Sequence, residues 1–132
     1  MLSHVHVGIG DFARAFDFYS TIMRELGYPL GIVERGAQWA AWKPADAERP
    51  LFIIGRPYGG GAATPGVGQM AAFLARDRAT VDRAHASALA QGGRDEGAPG
   101  PRPHYHPDYY GAYVRDPDGN KLCVVCHDAP QA

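Results

Sequence analysis

His4-Val5-His6-Val7-Gly8-Ile9-Gly10-Asp11-Phe12 opens the chain, and Met70-Ala71-Ala72-Phe73-Leu74-Ala75-Arg76-Asp77-Arg78 opens its second half. In the first stretch Val5, Val7 and Ile9 share one face of a strand, and His4, His6 and Gly8 share the other. Asp11 is placed to cap a helix. Behind it Phe12, Phe16, Tyr19, Met23 and Leu26 recur at helical spacing, and Gly27 followed by Pro29 marks the stop. In the second stretch Asp77 is the cap, Val81, Ala84, His85 and Ala88 mark an inner helical face, and Gly92-Gly93 ends it. His4 to Asp11 and Met70 to Asp77 both span seven residues, and Asp11 to Gly27 and Asp77 to Gly93 both span sixteen. A single offset of 66, half of the 132 residues, superposes the two units. That is the mark of an internal duplication.

Each unit continues in strand-like pieces: Leu30 to Arg35, Gln38 to Lys43 and Leu51 to Gly55 in the first, Tyr109 to Arg115 and Asn120 to His127 in the second. The last two flank Asp116-Pro117-Asp118-Gly119, a turn with Pro at its second and Gly at its fourth position. A strand near Arg94 is only faintly signalled. Ala98 to Pro107 reads as an ordered Pro-rich loop that contains His104, Tyr105 and His106. The spacing predicts an α+β fold: two tandem βαβββ modules forming curved antiparallel sheets around a central cavity, in one domain over 1–132. The modules are placed at 1–55 and 67–128, joined by a Gly-rich hinge at 56–66. Val5 and Val7 lie under the first helix, which leaves His4 and His6 on the concave side where a ligand cavity would form.

Composition narrows the function. Apolar residues make up 45 % and charged residues 20 %, ordinary for a globular domain. Thirteen Lys and Arg against fourteen Asp and Glu leave a formal charge of −1, with no basic surplus for nucleic acid or an anionic membrane. No apolar run is long enough to span a bilayer. Met1-Leu2-Ser3-His4 has neither the charged region nor the apolar core of a signal peptide. Two cysteines do not make a disulfide framework, so the expectation is a reducing cytoplasm.

The stretches His4 to Tyr19 and Tyr110-Gly111-Ala112-Tyr113-Val114-Arg115-Asp116-Pro117-Asp118-Gly119-Asn120-Lys121-Leu122, with Arg78 to Asp95 as second helix and Gly-Gly stop, resemble the vicinal oxygen chelate superfamily of glyoxalase-, bleomycin-resistance- and dioxygenase-like proteins. The resemblance covers nearly the whole chain and implies the fold. It does not carry a reaction, because this fold hosts lyases, dioxygenases, epimerases, thiol transferases and metal-free drug-binding proteins. It also implies four metal positions, from the first and last strand of each half: His4, Ile53, Met70 and Cys123. Only His4 is a standard ligand for Zn, Ni, Mn or Fe there. Ile53 has no donor, Met70 offers a soft thioether, and Cys123 is a possible ligand. A His4/His6/Cys123 site is the alternative, although residues i and i+2 on a strand stand roughly 7 Å apart. The expectation is therefore no cofactor in a cavity lined by His4, His6, Ile53, Met70, Cys123, His104 and Tyr110, with a divalent metal as the alternative.

Other features weigh less. Cys123-Val124-Val125-Cys126-His127 has the spacing of covalent haem attachment, but on a strand the two thiols face opposite sides. In His104-Tyr105-His106-Pro107-Asp108-Tyr109-Tyr110, His106 and Tyr109 are the candidates for general acid or base, against a loop packed by its own aromatics. Trp39 and Trp42 fall on opposite faces of one strand, and His85, the repeat equivalent of Tyr19, reads as a core-edge residue. Asp11, Asp77 and Asp116 to Asp118 read as caps and turn formers. The favoured function is a glyoxalase-like protein that binds a small metabolite, with or without transforming it, in a cavity with a degenerate metal site. The alternatives are a metal-dependent glyoxalase-type lyase or dioxygenase, in which an ion stabilises an enediolate, and an antibiotic-binding resistance protein. The last is disfavoured by a near-neutral chain, since a cationic drug needs an acidic groove. The partners expected are a small-molecule ligand and a second copy in a homodimer, with no nucleic acid and no membrane.

Overall fold

A computed structural model describes residues 1–130; residues 131 and 132, the end of the domain read above, lie outside the described residues. The chain runs β1 (His4–Gly8), α1 (Phe12–Leu26), β2 (Leu30–Glu34), β3 (Trp39–Trp42), β4 (Leu51–Gly55), β5 (Ala71–Leu74), α2 (Arg78–Ala90), β6 (Arg94–Pro101), β7 (Tyr110–Arg115) and β8 (Lys121–Cys126). Both helices start as their caps dictate. The Asp11 carboxylate accepts the Arg14 amide at 3.1 Å, and Asp77 accepts the Thr80 amide at 2.8 Å and its hydroxyl at 2.6 Å. Gly27 ends α1 in the left-handed conformation, φ 79°, where a side chain would be strained.

The strands form two four-stranded sheets, ordered β1-β4-β3-β2 and β5-β8-β7-β6. They are mixed rather than wholly antiparallel, because β1 joins β4, and β5 joins β8, in parallel. The helix returns the chain to its starting end, so the second strand runs like the first; two hairpin reversals then bring the fourth strand back in the same sense. Met70 lies just before β5, and the faint strand near Arg94 is a full one. Its Gly97 and Gly100 sit where the register against β7 shifts, which is how a Pro- and Gly-containing run stays in a ladder.

The core lies between the sheets and their helices. Phe12, Tyr19, Met23 and Leu26 are buried on α1 as the stripe predicts, whereas Phe16 is only partly buried against Trp42. Phe18 and Ile22 are buried as well, because α1 packs on α2 in addition to its own sheet. Phe52 and Phe73, one from each half, meet edge to face at 4.8 Å. His85 is buried on α2, with Nε2 2.9 Å from Asp95 Oδ1.

The Asp116 to Asn120 turn closes the junction. Asp116 is 2 % exposed and accepts the Tyr19 hydroxyl at 2.5 Å, the Asn120 side-chain amide at 2.9 Å and the Asp118 and Asn120 backbone amides at 2.9 and 2.8 Å. Asn120 also donates to the Gly8 carbonyl at 2.9 Å, and Asp118 accepts the Gly10 amide at 3.0 Å. The second-half turn thus holds the β1–α1 corner of the first half.

Candidate functional site

Strand alternation fixes which residues face away from the helices. On the first sheet the register aligns His4 with Leu51, His6 with Ile53, and Gly8 with Gly55, and Gly55 in turn with Trp39. Trp42 lies on the opposite, helix-facing side. A Cβ on Gly55 would stand 3.0 Å from His6 Nε2 and 3.1 Å from the Trp39 Cβ, so a glycine here leaves space for the imidazole. The ring borders a cleft of about 460 Å³ lined also by Gly8, Arg56, Pro57, Ala63 and Thr64. Among the described residues neither His6 nitrogen has a hydrogen-bond partner, while His4 Nδ1 is 2.8 Å from the Ser3 hydroxyl.

On the second sheet Cys123 is aligned with Ala72 and Tyr113. The 66-residue offset pairs Met70 with His4, but the strand neighbour of Cys123 is Ala72, which has no donor, and Met70 is 45 % exposed ahead of the strand. This concave face is already filled. Tyr109 lies across Gly111, whose added Cβ would stand 2.9 Å from Tyr109 Cε1. The Tyr109 hydroxyl reaches the Tyr113 hydroxyl at 2.8 Å and Cys123 Sγ at 3.6 Å. Burial, then the bond to Tyr113, pushes the Tyr109 phenol far above its ordinary value, so at neutral pH it is a hydroxyl and not a base. Burial also pushes the Cys123 thiol up, which keeps it protonated. Replacing Tyr109 by alanine in a Cys126→Ser background is expected to raise the rate at which a thiol reagent modifies Cys123 by about tenfold or more at mildly alkaline pH. An unchanged rate would show that Tyr109 does not shield the thiol.

The remaining predicted residues fall on two sides. His106 and His127 stack with Nε2 and Nδ1 at 2.8 Å, and Tyr109 sits edge-on to both rings. The Asp108 amide donates to His106 Nδ1 at 3.1 Å, which assigns the proton of the neutral ring to Nε2 and makes His127 Nδ1 the acceptor. His104 is exposed beside Tyr105, their ring centroids 4.3 Å apart. Tyr110 turns to the helix side rather than the concave face, donating to Asp82 at 2.7 Å with the Arg78 guanidinium 4.9 Å from its ring. Cys126 faces the core and Cys123 the concave side, as their odd spacing requires. Arg56 had no signal in the sequence, since it opens a Gly- and Pro-rich run that reads as a connector.

The donor set does not suit a hard or borderline divalent ion. Among the four implied positions only His4 and the buried Cys123 thiol carry a nitrogen or thiol donor, and among the described residues no three His, Cys, Asp or Glu side chains converge on one point. A second groove, of about 660 Å³, runs between α1 and the start of β2, lined by Phe16, Asp17, Arg24, Tyr28, Trp42 and Gln91. No histidine lines it. Among the described residues no helix is long and apolar enough to cross a membrane.

The family described as the Glyoxalase/Bleomycin resistance protein/Dioxygenase superfamily matches residues 1–124. Among solved structures, a glyoxalase/bleomycin resistance protein from Albidiferax ferrireducens T118 is similar at 34 % identity and a TM-score of 0.85, covering 96 % of this chain and 98 % of that one. A glyoxalase-related enzyme from Fulvimarina pelagi shares the fold at 19 % identity and a TM-score of 0.72, covering 96 % and 87 %. A glyoxalase/bleomycin resistance protein/dioxygenase family enzyme from Burkholderia phytofirmans PsJN does so at 18 % and 0.69, covering 96 % and 98 %. No curated protein matches the chain.

Proposed function

The chain belongs to the glyoxalase/bleomycin resistance protein/dioxygenase superfamily, and from that premise we propose that it binds a small molecule on the concave face of its first module without caging a metal ion. The observation that carries this reading is the cleft beside His6, where unpartnered ring nitrogens share a lining with the apolar side chains of Pro57, Ala62 and Ala63. Such a mixture of apolar wall and few polar groups suits a small organic ligand. Two of the four positions implied for a metal are an isoleucine and an exposed methionine, which supports the metal-free form.

A second copy of the chain completes the site in this reading. Ile32 on the first concave face is 43 % exposed and Leu74 on the second 61 %, with β1 and β5 left as sheet edges. Exposed apolar faces beside open edges favour association. The groups able to move a proton are His6 in the cleft and the His106–His127 pair on the second module, and Tyr109 serves only as a hydroxyl partner. A reducing, cytoplasmic setting fits two buried free thiols on opposite faces of β8.

Sedimentation of the full chain at micromolar concentration is expected to give a dimer. Elemental analysis of protein purified without chelators is expected to find less than stoichiometric transition metal. A stoichiometric ion that disappears in His4→Ala would overturn the metal-free reading, and a monomer at all concentrations would overturn the shared site.

A further inference from the structure

We infer that the molecule held in the His6 cleft carries an oxyanion, a carboxylate or a phosphate, seated against Arg56 and His6. This rests on the proposed small-molecule site and names the chemistry it selects.

Charge balance in and around the cleft leads there. Its lining contains an arginine and a histidine but no carboxylate. Among the described residues the Arg56 guanidinium has no acidic partner within 4 Å; it donates only to the Gln38 side-chain carbonyl, at 3.2 Å. Gln38 holds that position with φ 60°, a conformation that non-glycine residues seldom adopt. The arginine is thereby oriented without being neutralised, with donors left over for a ligand. Glu34, the acid on this sheet face, is on β2 at the opposite edge from β1. Thr64 adds a hydroxyl to the lining.

The concave face of the second module has the same sign. The Lys121 ammonium lies 5.5 Å and the Arg102 guanidinium 5.7 Å from the Tyr113 ring. The flanking carboxylate of Glu96 is bound to Arg115 at 2.8 Å. A cavity assembled from two such faces is cationic in a chain whose net charge is −1, so the excess is local to these faces.

The test uses the full-length protein and three probes: inorganic phosphate, benzoate, and benzamide as the neutral isostere. The His6 ring resonance, identified by its loss in His6→Gln, is followed by NMR during each titration. Phosphate and benzoate are expected to shift it saturably while benzamide at equal concentration does not. Arg56→Gln is expected to raise the midpoint about tenfold and Arg56→Lys less, and added salt weakens the wild-type response. Benzamide acting as well as benzoate, or Arg56→Gln acting like the wild type, would overturn the oxyanion while leaving a small-molecule site in place. No saturable shift from any probe overturns the oxyanion too, and the small-molecule reading is then judged by its dimer and metal measurements.

Discussion

Asp116→Ala is expected to lower the thermal midpoint of the protein by about 10–15 °C, the equivalent of about 3 kcal/mol for a domain of this size. The carboxylate is almost wholly buried, and four donors converge on it from two halves of the chain: Tyr19, the Asn120 side chain and the Asp118 and Asn120 amides. Truncating the acceptor leaves the Tyr19 hydroxyl and the two backbone amides without it, while the Asn120 side chain keeps the Gly8 carbonyl; each buried donor left without a partner costs about 1–3 kcal/mol before relaxation. Tyr19→Phe removes one donor and leaves the other three in place. Its cost is expected near 1 kcal/mol. The Tyr19 phenol is itself held well above its ordinary value, by burial first and then by Asp116, so ionising it does not complicate the measurement near neutrality. Urea unfolding of both variants, with exposed Asp46→Ala as a control expected within about 0.5 kcal/mol of the parent, checks the assignment. A loss below 1 kcal/mol for Asp116→Ala would mean that the junction is held by something else.

The second large effect is expected from Phe18→Ala, at about 3–5 kcal/mol, the usual cost of emptying a fully buried aromatic site. Phe18 is 0 % exposed, lies edge-on to Tyr19 at 5.0 Å, and reaches the turn after α2, where an added Cβ on Gly93 would meet Phe18 Cε2 at 2.9 Å. Phe16→Ala removes an equal volume from a partly buried site between Trp42 and Arg35 and is expected to cost less. Denaturant unfolding of the pair measures the difference. Equal costs would show that packing between the helices adds nothing beyond packing on the first sheet.

This contrast marks the limit of what the residue pattern reveals. Caps, strand alternation and the 66-residue repeat are local signals, and they place both helices and the facing of His6, Trp39, Trp42, Cys123 and Cys126. The stripe drawn through Phe12, Phe16, Tyr19, Met23 and Leu26 assumes one packing partner for α1. With two partners the buried arc widens to take in Phe18 and Ile22, and nothing in a single helix announces its second neighbour. The β6 strand is obscured for a different reason. Pro99 and its glycines lower strand propensity, and the ladder tolerates them only because the register shifts there.

The candidate site divides the same way. The histidines of β1 are legible because alternation aims them, whereas Tyr110 could be aimed only once its pairing with Cys126 was known. That pairing turns it toward the helix. Tyr109 and Arg56 belong to segments without periodicity, so their positions depend on tertiary packing alone. The glycines at 55 and 111 look like weak points of their strands and are in fact what admits an imidazole in one sheet and a phenol in the other.

Repetition gives two similar concave faces, and one of them is covered by a side chain of the chain itself, the Tyr109 phenol on Gly111. Taking away that phenol, as in Tyr109→Ala, is expected to uncover Gly111 and the Cys123 thiol. The room on that face is therefore set by one residue of the β6–β7 connection and not by the strands beneath it.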